Sequence, residues 1–187
     1  AARADVIVAA LGECAEMSGE SVSRTNLEIP DAQQDLLKAL VKTGKPVVLL
    51  LFTGRPLVLN WEATNVHSIL NVWFGGSETG DAVADVLFGK VAPSGKLTTT
   101  FPRSVGQLPL FYNHLNTGRP DPDSHIFNRY ASNYLDESNE PLYPFGYGLS
   151  YTDFVYGELQ ISSETLPKNG ELTVSVTVTN KGNYDGY

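Results

Sequence analysis

Asp5-Val-Ile-Val-Ala-Ala-Leu-Gly-Glu-Cys-Ala-Glu-Met-Ser-Gly-Glu-Ser-Val-Ser-Arg-Thr-Asn26 is the stretch around which the 187-residue chain is organised. Its apolar first part, residues 5–11, predicts a buried strand, and residues 11–26 predict the loop that leaves the carboxyl end of that strand. In an open α/β sheet, ligands bind at the carboxyl ends of the strands. Three carboxylates lie in this loop, Glu13, Glu16 and Glu20. We therefore expect any chemistry to occur here and to depend on a carboxylate.

The segments that follow alternate between helical and strand patterns with short turns between them. This order predicts an α/β fold, a mostly parallel sheet flanked by helices (an α/β sandwich), over residues 1–152. The predicted elements are a helix from 31 to Gly44, a strand at 46–52 covered on both faces, a strand at 67–74, a helix at 81–88 and a strand at 96–101.

The chain changes character after Pro102. Residues 103–150 show no periodicity but are rich in aromatic residues, which predicts an ordered loop laid over a surface. Residues 158–162 and 171–179 alternate between apolar and polar, with a turn at 168–170, and predict two half-buried antiparallel strands. We expect residues 153–187 to be the start of an all-β sandwich domain, because two strands do not make a stable one.

Composition and charge exclude several classes of function. The net charge of −8 argues against nucleic acid as a partner, and no apolar run approaches the roughly 20 residues of a membrane span. The lone Cys14 cannot form an intrachain disulfide and is interpreted as a small buried residue. The histidines, His67, His114 and His125, lack metal-ligand spacing, so neither a metal nor a cofactor is expected. Because the chain begins without methionine, we expect it to start inside a longer polypeptide.

Local pattern alone leaves the roles of the loop residues open. Glu20, beside Gly19, could be a general acid if its neighbours shield it and raise its pKa, or simply a solvated loop residue. Glu13 could cap the loop or pair with Arg24, and Glu16 reads as a surface residue. Arg24 could neutralise a carboxylate or bind a polar ligand. The glycine-rich turn at 75–77 reads as a helix start and not as a phosphate cradle.

Eight motifs follow one another along the chain: Ser18-Gly-Glu20, Arg24-Thr-Asn-Leu-Glu-Ile-Pro30, Pro46-Val-Val-Leu-Leu-Leu-Phe-Thr-Gly-Arg-Pro56, Trp73-Phe-Gly-Gly-Ser-Glu-Thr-Gly80, Ala84-Asp-Val-Leu-Phe-Gly89, Pro93-Ser-Gly-Lys-Leu97, Phe101-Pro-Arg-Ser-Val-Gly-Gln-Leu-Pro109 and Tyr143-Pro-Phe-Gly-Tyr-Gly-Leu-Ser-Tyr151. In this order they resemble the motifs of family 3 glycoside hydrolases. The segment 114–120 is most similar to the bacterial periplasmic β-glucosidase branch.

The resemblance implies a domain order for the whole protein. It implies an N-terminal barrel that precedes this chain and carries an aspartate nucleophile, then an α/β sandwich, whose later part is residues 1–152. It also implies that residues 153–187 begin a fibronectin-III-like domain. A retaining pair of carboxyl groups must stand about 5 Å apart, so the barrel and the sandwich would share one site.

By the same resemblance, Glu20 is the general acid/base, with Glu13 as the fallback, and Arg24, Asn116 and Arg119 bind substrate on the aglycone side. The implied function is part of a retaining β-glucosidase that hydrolyses terminal β-D-glucosyl residues of a β-glucoside or oligosaccharide. The implied location is periplasmic or secreted, and we expect the isolated chain to be inactive.

Three alternatives stay open at this point. The chain could be a non-catalytic sugar-binding or structural accessory module. The whole enzyme could be a phosphorylase and not a hydrolase. Open sheet edges could also make the chain a homo-oligomer.

Overall fold

The computed structural model describes residues 1, 3–120 and 128–186 of the chain. Short 3-10 turns at Ala15–Met17 and Val105–Gln107 accompany the regular elements. In chain order the elements are β1 (Ile7–Gly12), α1 (Asp31–Val41), β2 (Val47–Phe52), α2 (Asn60–Asn65), β3 (Ser68–Asn71), α3 (Thr79–Leu87), β4 (Phe154–Tyr156), β5 (Gln160–Ile161), β6 (Val174–Ser175) and β7 (Val178–Asn180).

The first compact unit, residues 1–77 with 96–147, is built on a parallel sheet in the order β1-β2-β3. Ile7 pairs with Val47, and Val48 pairs with Ser68. The helices α1 and α2 connect successive strands, as parallel pairing requires. The predicted α/β fold with a parallel sheet is therefore confirmed in this unit.

The burial pattern of the strands follows their place in the sheet. β1 lies at one edge and alternates, with Ile7 and Ala9 buried while Val8 and Ala10 are exposed. β2 lies in the centre, and its apolar run is buried or half-buried throughout, as predicted. The core of the unit consists of Ile7, Ala9, Ile29, Leu37, Val47, Leu49, Leu51, Leu57, Leu59 and Phe101.

One local expectation is wrong in this unit, and one helix was not expected. Residues 96–101 do not form a strand; only Phe101 makes an isolated antiparallel bridge, with Tyr143. Their β-branched threonines favour an extended chain, but an extended chain becomes a strand only where a partner runs beside it. The helix α2 was not predicted, because six residues are too few to show a helical period.

The second compact unit, residues 78–95 with 148–187, contains α3 and two antiparallel strand pairs, β4 with β7 and β5 with β6. The predicted antiparallel pairing is present, but the strands are short and their residues are exposed, not half-buried. Within this unit the hydroxyl of Tyr151 donates to the carbonyl of Val86 on α3 at 3.0 Å. The domain boundary after residue 152 and the fibronectin-III-like character of the C-terminal segment stay predictions.

The first unit also holds a buried carboxylate on α2. Glu62 is 1% exposed, and its Oε1 has no hydrogen-bond partner among the described residues. Burial raises the pKa of Glu62 above its ordinary value, and hydrogen bonds from its own backbone N–H and from Gln34 only partly oppose this. The folded chain therefore holds the proton of Glu62 more tightly than the unfolded chain does.

Replacing Glu62 by glutamine is expected to stabilise the chain by about 1 kcal/mol near pH 8 and by much less near pH 5. Because the folded-state pKa is raised, wild-type stability is greatest below the ordinary value of 4.5 and falls as the pH rises through the raised pKa. The glutamine amide carries no charge, so the variant does not lose stability in this way as the pH rises. Urea midpoints at the two pH values measure the difference, with the exposed Glu140→Gln as control; an equal change at both pH values would contradict the prediction.

Candidate active site

The loop that leaves β1 begins at a backbone position that only glycine fits. Gly12 has φ of 137°, and a Cβ there would lie 1.8 Å from the carbonyl oxygen of Phe52. The side-chain amide of Gln33 on α1 pairs with both backbone groups of Gly12: Oε1 accepts from its N–H at 2.7 Å, and Nε2 donates to its C=O at 2.9 Å. Sheet, helix and loop are therefore joined at the residue before Glu13.

Glu13 is the anchor of the loop. Its side chain is fully buried, and four donors or cations surround it. Nη1 of Arg24 donates to Oε1 at 2.7 Å, and the Thr53 hydroxyl and Gly54 N–H donate to Oε2 at 2.8 and 3.2 Å. Nε of Arg55 lies 3.1 Å from Oε1, close enough for an ion pair but not aligned as a hydrogen bond.

This environment keeps Glu13 ionised. Burial by itself would raise the pKa of Glu13, but the hydrogen bonds from Arg24, Thr53 and Gly54 and the charge of Arg55 outweigh burial and lower the pKa below 4.5. A general acid needs a pKa near the working pH. The geometry of Glu13 therefore fits a structural anion and does not fit the fallback acid/base role.

Arg55 connects Glu13 to the rest of the loop. Its Nη2 donates to the carbonyl oxygens of Met17 and, at 3.1 Å, of Val22. Next to it, Gly54 lies so close to the loop that a Cβ there would be 2.0 Å from Oγ of Ser18. The strand-end turn after β2 thus supports both sides of the Glu20 loop.

Glu20 lies at the exposed tip of this loop. Gly19 and Ser21, on either side of it, have φ of 136° and 62°, so the backbone turns sharply at the carboxylate. No hydrogen bond or ion pair holds that carboxylate in the described part of the chain, and the residue is exposed. Its side chain is thus available to a group from outside this unit.

The other predicted binding residues lie in two places. Arg24 is engaged by Glu13 and by the backbone carbonyl of Glu28, at 3.2 Å, and its side chain is 20% exposed. Asn116 and Arg119 are exposed, and the Arg119 carbonyl accepts a hydrogen bond from the Ser132 N–H. The structure brings Arg24 and Glu13 together, but no described contact joins Glu20 to Asn116 or Arg119.

Cys14 and the histidines take other positions. Cys14 is exposed, so the expectation that it is buried is wrong; it lies two residues after the end of β1 and, like Glu16, is exposed. Nδ1 of His67 accepts from the N–H of Val47 at 3.2 Å, which is a structural role. His125 lies outside the described residues. In the part of the chain that is described, no cluster of three or more His, Cys, Asp or Glu could hold a metal ion.

No helix among the described residues is long and apolar enough to cross a bilayer. A shallow depression of about 410 Å³ lies at the carboxyl end of β1, at the base of the loop, and does not include Glu20. Its lining residues are Ala10, Leu11, Gly12, Glu13, Cys14, Gln33 and Phe52.

Comparison with known proteins gives the family. The model of the glycosyl hydrolase family 3 C-terminal domain matches residues 1–151. The chain belongs to this family. The resemblance read from the motifs is confirmed, and within family 3 the similarity extends over the whole chain. The chain is 54% identical over 187 residues to the periplasmic beta-glucosidase of Salmonella typhimurium, covering 100% of the chain and 24% of that protein.

Two further proteins are similar to the chain, one in sequence and one in sequence and fold. The chain is 44% identical over 186 residues to a beta-xylosidase of Formosa agariphila, covering 100% of the chain and 25% of that protein. It is similar to the crystal structure of beta-glucosidase from Listeria innocua in complex with glucose, with a TM-score of 0.89, 46% identity and coverage of 98% of this chain and 25% of that one. The chain thus spans about a quarter of the length of these relatives.

Sequence reasoning missed the residues that support the loop from β2. Thr53 and Arg55 lie in a segment that reads only as the turn ending a strand. The one signal available was an arginine directly after a buried parallel strand. In such a sheet that position lies beside the end of the neighbouring strand, which Glu13 follows directly.

Proposed function

We propose that this chain is the acid/base-bearing part of a retaining β-glucosidase. In the complete enzyme, Glu20 protonates the glycosidic oxygen as an aspartate on a segment outside these residues attacks C1. The glycosyl-enzyme is then hydrolysed by a water molecule that Glu20, now a carboxylate, deprotonates. Glu20 thus serves as acid in the first step and as base in the second.

The contrast between two glutamates of one loop carries this proposal. Glu13 is buried, paired with two arginines and held ionised. Glu20 is exposed at the tip, with its carboxylate unengaged by the described residues. Only a carboxyl group that reaches beyond its own unit can meet a nucleophile supplied by another segment, so Glu20 suits the role and Glu13 does not.

The substrate class is supported by the relatives. A β-glucosidase structure in complex with glucose is among the similar structures, and a mutant of the same Listeria innocua enzyme is in complex with laminaribiose. We propose a terminal β-D-glucosyl residue as the group removed, with Arg24, Asn116 and Arg119 on the aglycone side. A periplasmic or secreted location is proposed from the name of the Salmonella relative.

The alternative of a non-catalytic accessory module is not favoured. The relatives named above are glycosidases, and the similarity covers the entire chain, including the loop that carries Glu20. No observation of the described residues points to a sugar-binding site complete within this chain.

The proposal is tested by comparing the complete polypeptide with the 187-residue chain on 4-nitrophenyl β-D-glucoside and β-D-xyloside. We expect the complete enzyme to release nitrophenol from the glucoside, with a kcat/KM at least about tenfold above that for the xyloside, and the isolated chain to release none. The xyloside lacks only the hydroxymethyl group, so it is a matched control for the sugar. Turnover by the isolated chain would contradict the need for a second segment, and a preference for xyloside would reassign the substrate.

A further inference from the structure

The Arg55 side chain contacts the backbone of the Glu20 loop on both sides of Glu20. One guanidinium nitrogen, Nη2, donates to the carbonyl oxygens of Met17 and Val22. Met17 precedes Glu20 by three residues and Val22 follows it by two. A single planar group therefore joins the two sides of the loop directly below its tip.

Contacts with Glu13 and Thr53 fix the position of Arg55. Its Nε lies 3.1 Å from Oε1 of Glu13, whose side chain is fully buried. Its own backbone N–H donates to the Thr53 hydroxyl at 3.2 Å, and that hydroxyl donates to Oε2 of Glu13. The guanidinium is thus held between a buried anion and two loop carbonyls, and only a fifth of the side chain is exposed.

The backbone around Glu20 needs such a support. Gly19 and Ser21 both have positive φ, and for serine this conformation is unfavourable by roughly 1 kcal/mol. The carboxylate itself has no partner among the described residues that would hold it in place. The ion pair of Arg24 with Glu13 joins the two sides at the base of the loop, and among the described residues Arg55 joins them nearer the tip.

We infer that Arg55, seated on Glu13, is a positioning residue that holds the Glu20 loop closed at Met17 and Val22 and so aims the acid/base carboxyl at the bond to be cleaved. This inference rests on the proposed role of Glu20. Arg55 does not touch the substrate; it acts through the loop backbone. Lysine cannot replace it, because one ammonium group lacks the planar fork that reaches a carboxylate and two carbonyls together.

The first measurement is hydrogen exchange in the complete enzyme carrying Arg55→Lys. We expect the peptide covering residues 15–24 to exchange about tenfold faster, while the peptides of β1 to β3 exchange as in the wild type. Arg103→Lys is the matched control, because Nε of Arg103 also donates to a loop carbonyl, that of Glu140, at 3.1 Å. That control should leave the 15–24 peptide unchanged. Wild-type exchange of this peptide in Arg55→Lys would overturn the inference.

The second measurement separates positioning from general damage. In Arg55→Lys, the value of kcat/KM for phenyl β-glucoside, whose leaving group needs a proton, should fall by roughly 100-fold. For 2,4-dinitrophenyl β-glucoside, which leaves without a proton, it should fall by less than about threefold. Equal losses on both substrates would overturn the positioning role. Arg55→Gln, with its melting temperature recorded, repeats the test without the positive charge.

The two proposals can fail separately. If Glu20→Ala kept full activity on phenyl β-glucoside, the proposed role of Glu20 would be lost, and the positioning role of Arg55 with it. The exchange of the 15–24 peptide would still show whether Arg55 holds the loop. If the loop loosened in Arg55→Lys and the ratio of the two substrates changed as stated, both proposals would stand.

Discussion

Replacing Glu20 by alanine in the complete enzyme is expected to lower kcat/KM for phenyl β-glucoside by roughly 100- to 10,000-fold, the usual contribution of general acid catalysis. Phenolate is a poor leaving group, and without Glu20 nothing protonates it as the bond breaks. For 2,4-dinitrophenyl β-glucoside, kcat/KM should change little, because that leaving group departs as the anion.

The second half of the reaction gives an independent signature. With dinitrophenyl glucoside the variant should form the glycosyl-enzyme quickly and hydrolyse it slowly, because no base activates water. A burst of dinitrophenolate should precede a slow steady state. Added azide should raise the steady rate, because the azide nitrogen attacks C1, the bond from C1 to the nucleophile carboxylate breaks, and no proton has to be removed.

Either of two results would remove Glu20 from the role. The first is a loss of the same size on both substrates, since a defect independent of the leaving group is not a defect of acid catalysis. The second is unchanged activity on phenyl β-glucoside. In both cases the acid would have to be sought among the other exposed carboxylates.

Replacing Glu13 by glutamine is expected to have a large effect on stability. The change preserves volume but leaves the cations of Arg24 and Arg55 without their shared anion, and each of these side chains is only 20% exposed. Removing one partner of a buried ion pair costs about 3–5 kcal/mol, and the partial exposure of the arginines lowers our expectation to roughly 2–4 kcal/mol.

The pH dependence of this difference has a definite sign. The pKa of Glu13 is lowered in the folded chain, so its contribution to stability is fully present above the ordinary value of 4.5. It is lost as the pH falls from 4.5 through the lowered pKa, because the folded state then has to accept a proton that the unfolded state already holds. The wild type should therefore lose its advantage over Glu13→Gln across that interval.

Urea unfolding followed by tryptophan fluorescence measures this effect in the first unit, because both tryptophans of the chain, Trp61 and Trp73, belong to it. Glu20→Gln is the matched control: the same chemical change in the same loop, at an exposed carboxylate. It should leave the free energy of unfolding within about 0.5 kcal/mol of the wild type. Equal destabilisation by both substitutions would show that Glu13 is not the anchor of the loop.

The sequence predicted those parts of the fold whose cause is local. The apolar run at 46–52 gave a buried central strand, and the spacing of Leu37, Leu40 and Val41 gave a helix that ends before Gly44. The strand predicted at 96–101 is not formed, because a strand needs a partner beside it. The threonines of this segment favour an extended chain but do not indicate where a partner lies. The difference in environment between Glu13 and Glu20 could not be predicted either, because the residues that surround Glu13, Thr53 and Arg55, lie some forty residues further along the chain.

The support of the loop from outside has a consequence for protein engineering. Since Arg55 joins the carbonyls of Met17 and Val22 and Ser18 packs on Gly54, the backbone is fixed at both ends of the short segment 19–21. Lengthening a closed segment adds little entropic cost, about 0.6 kcal/mol for each doubling. Under the proposed role of Glu20, the length and side chains of segment 19–21 can therefore be varied to change how far its carboxylate extends, while the sheet keeps its sequence.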